Sequence, residues 1–122
     1  MVPLRVLLVE DEHLIRWLAA EALRDEGFEV LEASDGDEAV SQLRDPDHVD
    51  VLFTDVRMPG ELDGIALAMR AREMSPGLPV IVATAYASQV AIRLEALNPP
   101  AHFLRKPYSI REIADIVRQA AA

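Results

Sequence analysis

The chain has 122 residues, no cysteine, and 21 acidic against 12 basic side chains, for a net charge of −9. That length suits one domain whose core needs no disulfide or structural metal, and the missing cysteines exclude disulfides, thiolate metal sites and Cys nucleophiles. The charge disfavours nucleic acid or an anionic membrane as the direct partner, because phosphate backbones need Lys/Arg neutralisation, and it suits a basic partner or a bound cation.

The first apolar run, Val6–Val9, is too short for a signal sequence or a membrane span and runs straight into Glu10-Asp11-Glu12. A cytoplasmic location is therefore expected. This run reads as strand one. A helix follows from about His13 to Glu26, with Leu14, Ile15, Leu18 and Ala22 on one stripe and Gly27 as its stop. Glu29–Ala33 is strand two. Ser34, three residues before Asp37, is the expected cap of a second helix reaching about Arg44. Asp50–Thr54 is strand three. The third helix starts near Gly64, with Ile65, Ala68 and Met69 inward, and ends at Ser75-Pro76-Gly77. Pro79–Thr84 is strand four, Ser88–Leu97 a shorter helix, and Ala101–Arg105 strand five. Ser109 and Glu112 form a capping box for the last helix, with Ile110, Ile113, Ala114 and Val117 inward.

The pattern is (βα)₅. Continuous apolar strands with short crossover helices imply a parallel sheet buried on both faces. Right-handed crossovers put helices on both sides of it, and ligands bind outside the carboxyl ends of such strands. Those ends carry Glu10 and Asp11 after strand one, Asp55 after strand three, Thr84 at the end of strand four and Lys106 after strand five. Three carboxylates in one cleft repel one another unless a proton or a cation intervenes. An all-oxygen donor set selects Mg²⁺ or Mn²⁺ over zinc. Asp55 is the candidate nucleophile, since a carboxylate can carry a phosphoryl group. Lys106 would supply positive charge to that group and Thr84 a hydroxyl donor. Taken singly, each of these residues has an ordinary reading as a cap, a strand end or a solvated side chain. Their conjunction carries the inference.

The chain resembles the receiver domain of two-component response regulators. The resemblance rests on VLLVEDE (6–12), GFEVLEASDGDEA (27–39), TDVRMPG with LDG (54–60 and 62–64), PVIVATAYA (79–87) and FLRKPYS (103–109). It implies a flavodoxin-like, doubly wound five-stranded parallel sheet, order 2-1-3-4-5, as one domain over residues 1–122. It implies that Asp55 accepts a phosphoryl group from a sensor histidine kinase or histidine phosphotransfer protein, and that the domain switches a downstream protein target. Glu10 and Asp11 then match the acidic pair that holds Mg²⁺, completed by Asp55 and the backbone carbonyl of Arg57. Thr84 and Phe103 match the switch hydroxyl and aromatic, and Lys106 the family lysine, whose bond to Pro107 is commonly cis. Such a domain is a switch rather than an enzyme, assisting its own Mg-dependent phosphotransfer and dephosphorylation. A second copy is a candidate partner through helix four, strand five and helix five.

Two departures from the family pattern are visible. The loop Gly60-Glu61-Leu62 carries one extra residue, and the first acid is Glu10 rather than Asp, a longer arm that reaches a metal through water. Other classes fit less well. A flavodoxin-type cofactor binder needs a Ser/Thr/Gly-rich loop after strand one, where Glu10-Asp11-Glu12 would repel phosphate. A P-loop enzyme lacks its G-x-x-x-x-G-K-[ST], and a haloacid-dehalogenase-type phosphatase needs D-x-D after strand one. A receiver-like interaction module without phosphorylation is the remaining alternative, and the complete residue set argues against it. His13, His48 and His102 are scattered and are not read as ligands. Trp17 reads as a helix-face packing residue. Arg57 and Tyr86, two residues beyond Asp55 and Thr84, either overhang the phosphoryl group or point into solvent.

Overall fold

The computed structural model describes residues 2–45, 47–58, 60 and 63–122. In chain order the elements are β1 (Arg5–Val9), α1 (His13–Asp25), β2 (Glu29–Ala33), α2 (Gly36–Leu43), β3 (Val51–Asp55), α3 (Gly64–Met74), β4 (Val80–Thr84), α4 (Ala87–Arg93), β5 (His102–Arg105) and α5 (Ile110–Ala121). Among the described residues the strands form one parallel sheet in the order β2-β1-β3-β4-β5, the order the resemblance implies. The extra residue expected in the Gly60-Glu61-Leu62 loop falls largely outside the described residues.

Side chains alternate across a strand, and here both faces are covered. Leu7, Val9, Leu52, Val80 and Val82 pack with α2, α3 and α4 residues such as Leu43, Leu67 and Val90. Val6, Leu8, Val51, Phe53 and Ile81 pack with Leu23 of α1 and Ile113 and Val117 of α5. Burial on both faces is why the strands read as unbroken apolar runs rather than alternating ones.

Several helix expectations are corrected. On α1 the buried residues are Ala19, Ala20 and Leu23, while Leu14, Ile15 and Leu18 are exposed and Ala22 is half-buried. The predicted stripe was the outward one: small Ala residues let the helix lie close to the sheet, and the larger side chains are left on the surface. Trp17, expected to pack, is also exposed on this side. Met69 of α3 and Ile110 of α5 are likewise exposed, whereas Ile65, Ala68, Ile113, Ala114 and Val117 are buried as expected. The helix after β4 is shorter than its pattern, ending at Arg93 rather than Leu97, although Leu94 stays buried as its cap.

The cap of α2 is Asp35, not Ser34. The Glu38 N–H donates to Asp35 Oδ1 at 2.8 Å, and Ser34 returns its own N–H and hydroxyl to Glu38 Oε2 at 3.3 and 2.8 Å. The cap thus sits one residue later than the sequence suggested, and Glu38 reaches back to Ser34 rather than to the N–H of the cap itself. On α5 the Ser109–Glu112 capping box forms as expected. Gly27, just past α1, has φ of +94°, a conformation that disfavours any side chain. Asp35→Ala is expected to cost about 1 kcal/mol in a urea melt and Ser34→Ala clearly less, because only Asp35 satisfies an orphan N–H of the first turn. Equal costs would restore Ser34 as the cap.

Candidate functional site

The sheet assembles the site by continuing its own ladders. The Glu10 N–H donates to the Ala33 carbonyl at 3.1 Å, so Glu10 extends β1 along β2 by one residue. Asp55 closes β3 opposite Ala83, and Thr84 closes β4 opposite Arg105. The Lys106 N–H donates to the Thr84 carbonyl at 3.0 Å, bringing the lysine to the same edge. Among the described residues the buried polar or charged ones are Glu10, Thr54, Asp55, Arg72 and Thr84. All but Arg72 lie at this edge, an uncommon concentration of buried polarity.

Asp55 has donors on both oxygens. Lys106 Nζ pairs with its Oδ2, and the Arg57 N–H donates to Oδ1 at 3.3 Å. The Lys106–Pro107 bond is cis, as the resemblance implies. The Thr84 hydroxyl accepts from the Tyr86 N–H at 3.0 Å. Asp55, Arg57 and Lys106 line two cavities. One, of about 450 Å³, is lined by Glu10, Asp11, Glu12, Asp55, Arg57 and Lys106 together with Ile15 and Met58. The other, of about 380 Å³, lies towards α4 and is lined by Thr84, Tyr86, Gln89 and Arg93 as well as Asp55, Arg57 and Lys106. The structure therefore brings Asp55, Arg57 and Lys106 together with Glu10 and Asp11 in one cavity and with Thr84 and Tyr86 in the other. Arg57 and Tyr86 are exposed while lining these cavities. Phe103 lines neither; it is half-buried against the core beneath α4.

Burial pushes the Glu10 carboxyl up to about 7, with the adjacent Asp55 adding to the rise and Lys106 partly opposing it. Asp11 by contrast is exposed. Among the described residues no group of three His, Cys, Asp or Glu side chains stands ready to hold a metal. The donor set nevertheless fits Mg²⁺, which takes one or two carboxylates and keeps several waters. Two buried carboxyls side by side, one holding its proton to near neutrality, are what a divalent cation would relieve.

Three supporting residues carried no assigned role in the sequence. Gly64 opens α3 against Asp55: a Cβ there would run into the Asp55 carbonyl, and its N–H donates to the Val56 carbonyl at 2.8 Å. Its signal in the sequence was its place in the LDG stretch at the start of the third helix. Tyr108 packs edge-on against Phe53 at 6.2 Å and anchors the segment that carries Lys106. Burial, with the negative charges of Glu10 and Asp55, pushes its phenol up to about 12. Arg16 of α1 donates to the Glu10 carbonyl at 2.8 Å.

Residues 6–118 match the family model described as the response regulator receiver domain. The chain belongs to this family. It is 34% identical over 116 residues to the response regulator receiver protein CpdR of Brucella abortus, covering 94% of each chain. It is 37% identical over 122 residues to the transcriptional regulatory protein PdtaR of Mycobacterium tuberculosis, where it covers 99% of this chain but 58% of that one. Against the sensor kinase CckA of Brucella abortus it is 35% identical and spans 12% of the relative's length. Among solved structures, the receiver domain of the hybrid histidine kinase CckA aligns with a TM-score of 0.80 at 37% identity, covering 97% of this chain and 99% of that one. A CheY-like receiver domain protein from Methanospirillum hungatei shares the fold at a TM-score of 0.86 and 24% identity, covering 98% and 94% of the two chains. Among the described residues no helix of this receiver domain is long and apolar enough to cross a membrane.

Two expectations follow from the site. Gly64→Ala should destabilise the domain by about 1–3 kcal/mol, read as a lower urea midpoint, because the added methyl meets backbone rather than a movable side chain; an unchanged midpoint would show the approach to Asp55 to be looser. Glu10 gives a pH signature in metal-free protein. Its value rises from 4.5 towards 7 on folding, so the folded state holds a proton that the unfolded chain has lost in that window. Stability from this group is present below 4.5 and is lost as the pH rises to 7. With chelator present, wild type should lose more melting temperature between pH 5 and 7.5 than Glu10→Gln; parallel curves would remove Glu10 as the cause.

Proposed function

We propose that this receiver domain takes a phosphoryl group on Asp55 and works as a conformational switch, with residues 1–122 acting as one unit. The observation that carries the proposal is the buried Asp55 carboxylate facing Lys106 at the junction of two open cavities. One Asp55 oxygen attacks phosphorus and forms an acyl phosphate. The bond to the donor breaks, releasing a histidine side chain of a kinase or phosphotransfer protein, or acetate from acetyl phosphate. Such transfer asks the protein mainly for position and charge neutralisation. Lys106 moves from the carboxylate to a phosphoryl oxygen. The Thr84 hydroxyl, which accepts from the Tyr86 N–H, keeps its own proton for another.

Glu10, Asp11, Asp55 and the Arg57 carbonyl are the proposed holders of Mg²⁺ or Mn²⁺. When bound, the cation supplies charge neutralisation at the carboxylates and the phosphoryl oxygens. The exposed Ile15 lines the acidic cavity and, with the exposed Leu14 and Leu18 of the same helix, offers an apolar ledge to a protein donor. Arg57 and Tyr86 line the rim where water must approach to remove the phosphoryl group. On the other side, Thr84 drawn towards phosphate leaves room for Phe103 to turn inward, a shift of an existing equilibrium. The output surface is then α4, β5 and α5, where Ile92 stands exposed, open to a downstream protein or a second copy. The family membership and the net charge of −9 support a cytoplasmic switch that touches neither nucleic acid nor an anionic membrane directly.

One experiment tests the centre of this reading. Wild type incubated with acetyl phosphate and Mg²⁺ should gain one phosphoryl group by intact mass, and Asp55→Asn should not. With beryllofluoride, amide exchange should change over α4, β5 and α5 in wild type only. Phosphorylation of Asp55→Asn at a similar rate would move the acceptor elsewhere, and unchanged exchange would remove the switch.

A further inference from the structure

The Glu10 backbone is held at both of its polar groups. Its N–H is taken by the Ala33 carbonyl at 3.1 Å. Its carbonyl is taken by Arg16 Nη1 at 2.8 Å. Arg16 is itself held on every nitrogen. Nη2 meets His13 Nδ1 at 3.1 Å, and Nε meets Glu32 Oε1 at 3.3 Å. Glu32 projects from β2, and its second oxygen pairs with Arg24 Nη2 at 3.2 Å. The Arg16 side chain is only 15% exposed, so this fork is worth more than an ordinary surface ion pair.

We infer that Arg16 is a positioning residue for the acidic pair: by pinning the Glu10 carbonyl it fixes the peptide from which Glu10 and Asp11 project into the cation cavity, with Glu32 and Arg24 locking its orientation. The inference rests on the proposed reading of Glu10 and Asp11 as metal ligands. Its physical logic is that of outer-shell groups in metal sites, whose loss typically costs 10–100-fold in affinity. A fixed cation beside a cation site has the opposite effect, because it repels the metal. Removing Arg16 therefore separates the two roles by sign. Loss of positioning weakens binding, whereas relief of repulsion tightens it.

The test uses Mn²⁺ alone, with free ion read from its EPR signal. Wild type, Arg16→Met, Arg16→Lys and Arg24→Met are titrated at two salt concentrations. Arg16→Met should bind about 10-fold more weakly than wild type. The ratio should persist at high salt, since geometry is not screened. Arg16→Lys keeps the charge but not the fork, so it too should weaken binding, and it answers the question if Arg16→Met fails to fold. Arg24→Met, one step further out, should change affinity less than Arg16→Met. Arg16 variants that bind as wild type or tighter overturn the positioning role while leaving the metal site standing. Wild type that takes no Mn²⁺ overturns the site and the inference together.

Discussion

The parallel register of β1, β3, β4 and β5 is the constraint on which the rest depends. Val9 sits beside Thr54, Asp55 beside Ala83, and Thr84 beside Arg105. Because the strands are parallel and in step, residues far apart in sequence reach one edge together. Glu10 and Lys106 stay in the ladder through backbone bonds to Ala33 and Thr84, so their positions are set by the sheet rather than by loose connections. Slipping a strand by one residue would turn its apolar side chains to the opposite face and carry the edge residue with them. The two packed cores prevent that slip, and the site inherits their rigidity.

That edge concentrates negative charge where water is scarce. Glu10 and Asp55 are buried next to each other, and the Glu10 carboxyl responds with a raised affinity for a proton. Lys106 pairs with Asp55 and offsets the charge at Glu10 only in part. The edge is therefore poised to accept positive charge, and its tension is local. Around it the structure is ordinary: helices packed on both faces, with α2, α3 and α5 capped by side chains in their first turns. The division of labour is physical. The sheet supplies placement, and a few incompletely compensated side chains supply the responsiveness that a well-paired core lacks.

The relatives place the same scaffold in different settings. The chain covers nearly all of the receiver protein CpdR, about half of the transcriptional regulatory protein PdtaR and a small share of the sensor kinase CckA. Fold likeness persists at 24% identity, which is expected when architecture depends on strand register and apolar burial rather than on particular side chains. The surface of this chain includes an exposed apolar stretch of α1, with Leu14, Ile15, Trp17 and Leu18 exposed and Ile15 lining the acidic cavity.

The sequence by itself determined the element order, the parallel sheet and the residues that meet at its edge. Apolar runs of strand length and polar residues at their ends are local signals, and local signals survive in one dimension. The capping box at Ser109 was legible for the same reason. Which face of α1 is buried was not, because Ala19, Ala20 and Leu23 compete with Leu14, Ile15 and Leu18 in any periodicity count; only the closeness of helix to sheet selects the small residues. Met69 and Ile110 were misplaced on the same ground. The roles of Gly64, Arg16 and Tyr108 were likewise decided by the tertiary structure. A glycine matters here because Asp55 lies against it, an arginine because the Glu10 carbonyl lies within its reach, and a tyrosine because Phe53 and the Lys106 segment share its wall. Each is a relation between distant parts of the chain, and such relations exist only once the sheet has brought those parts together.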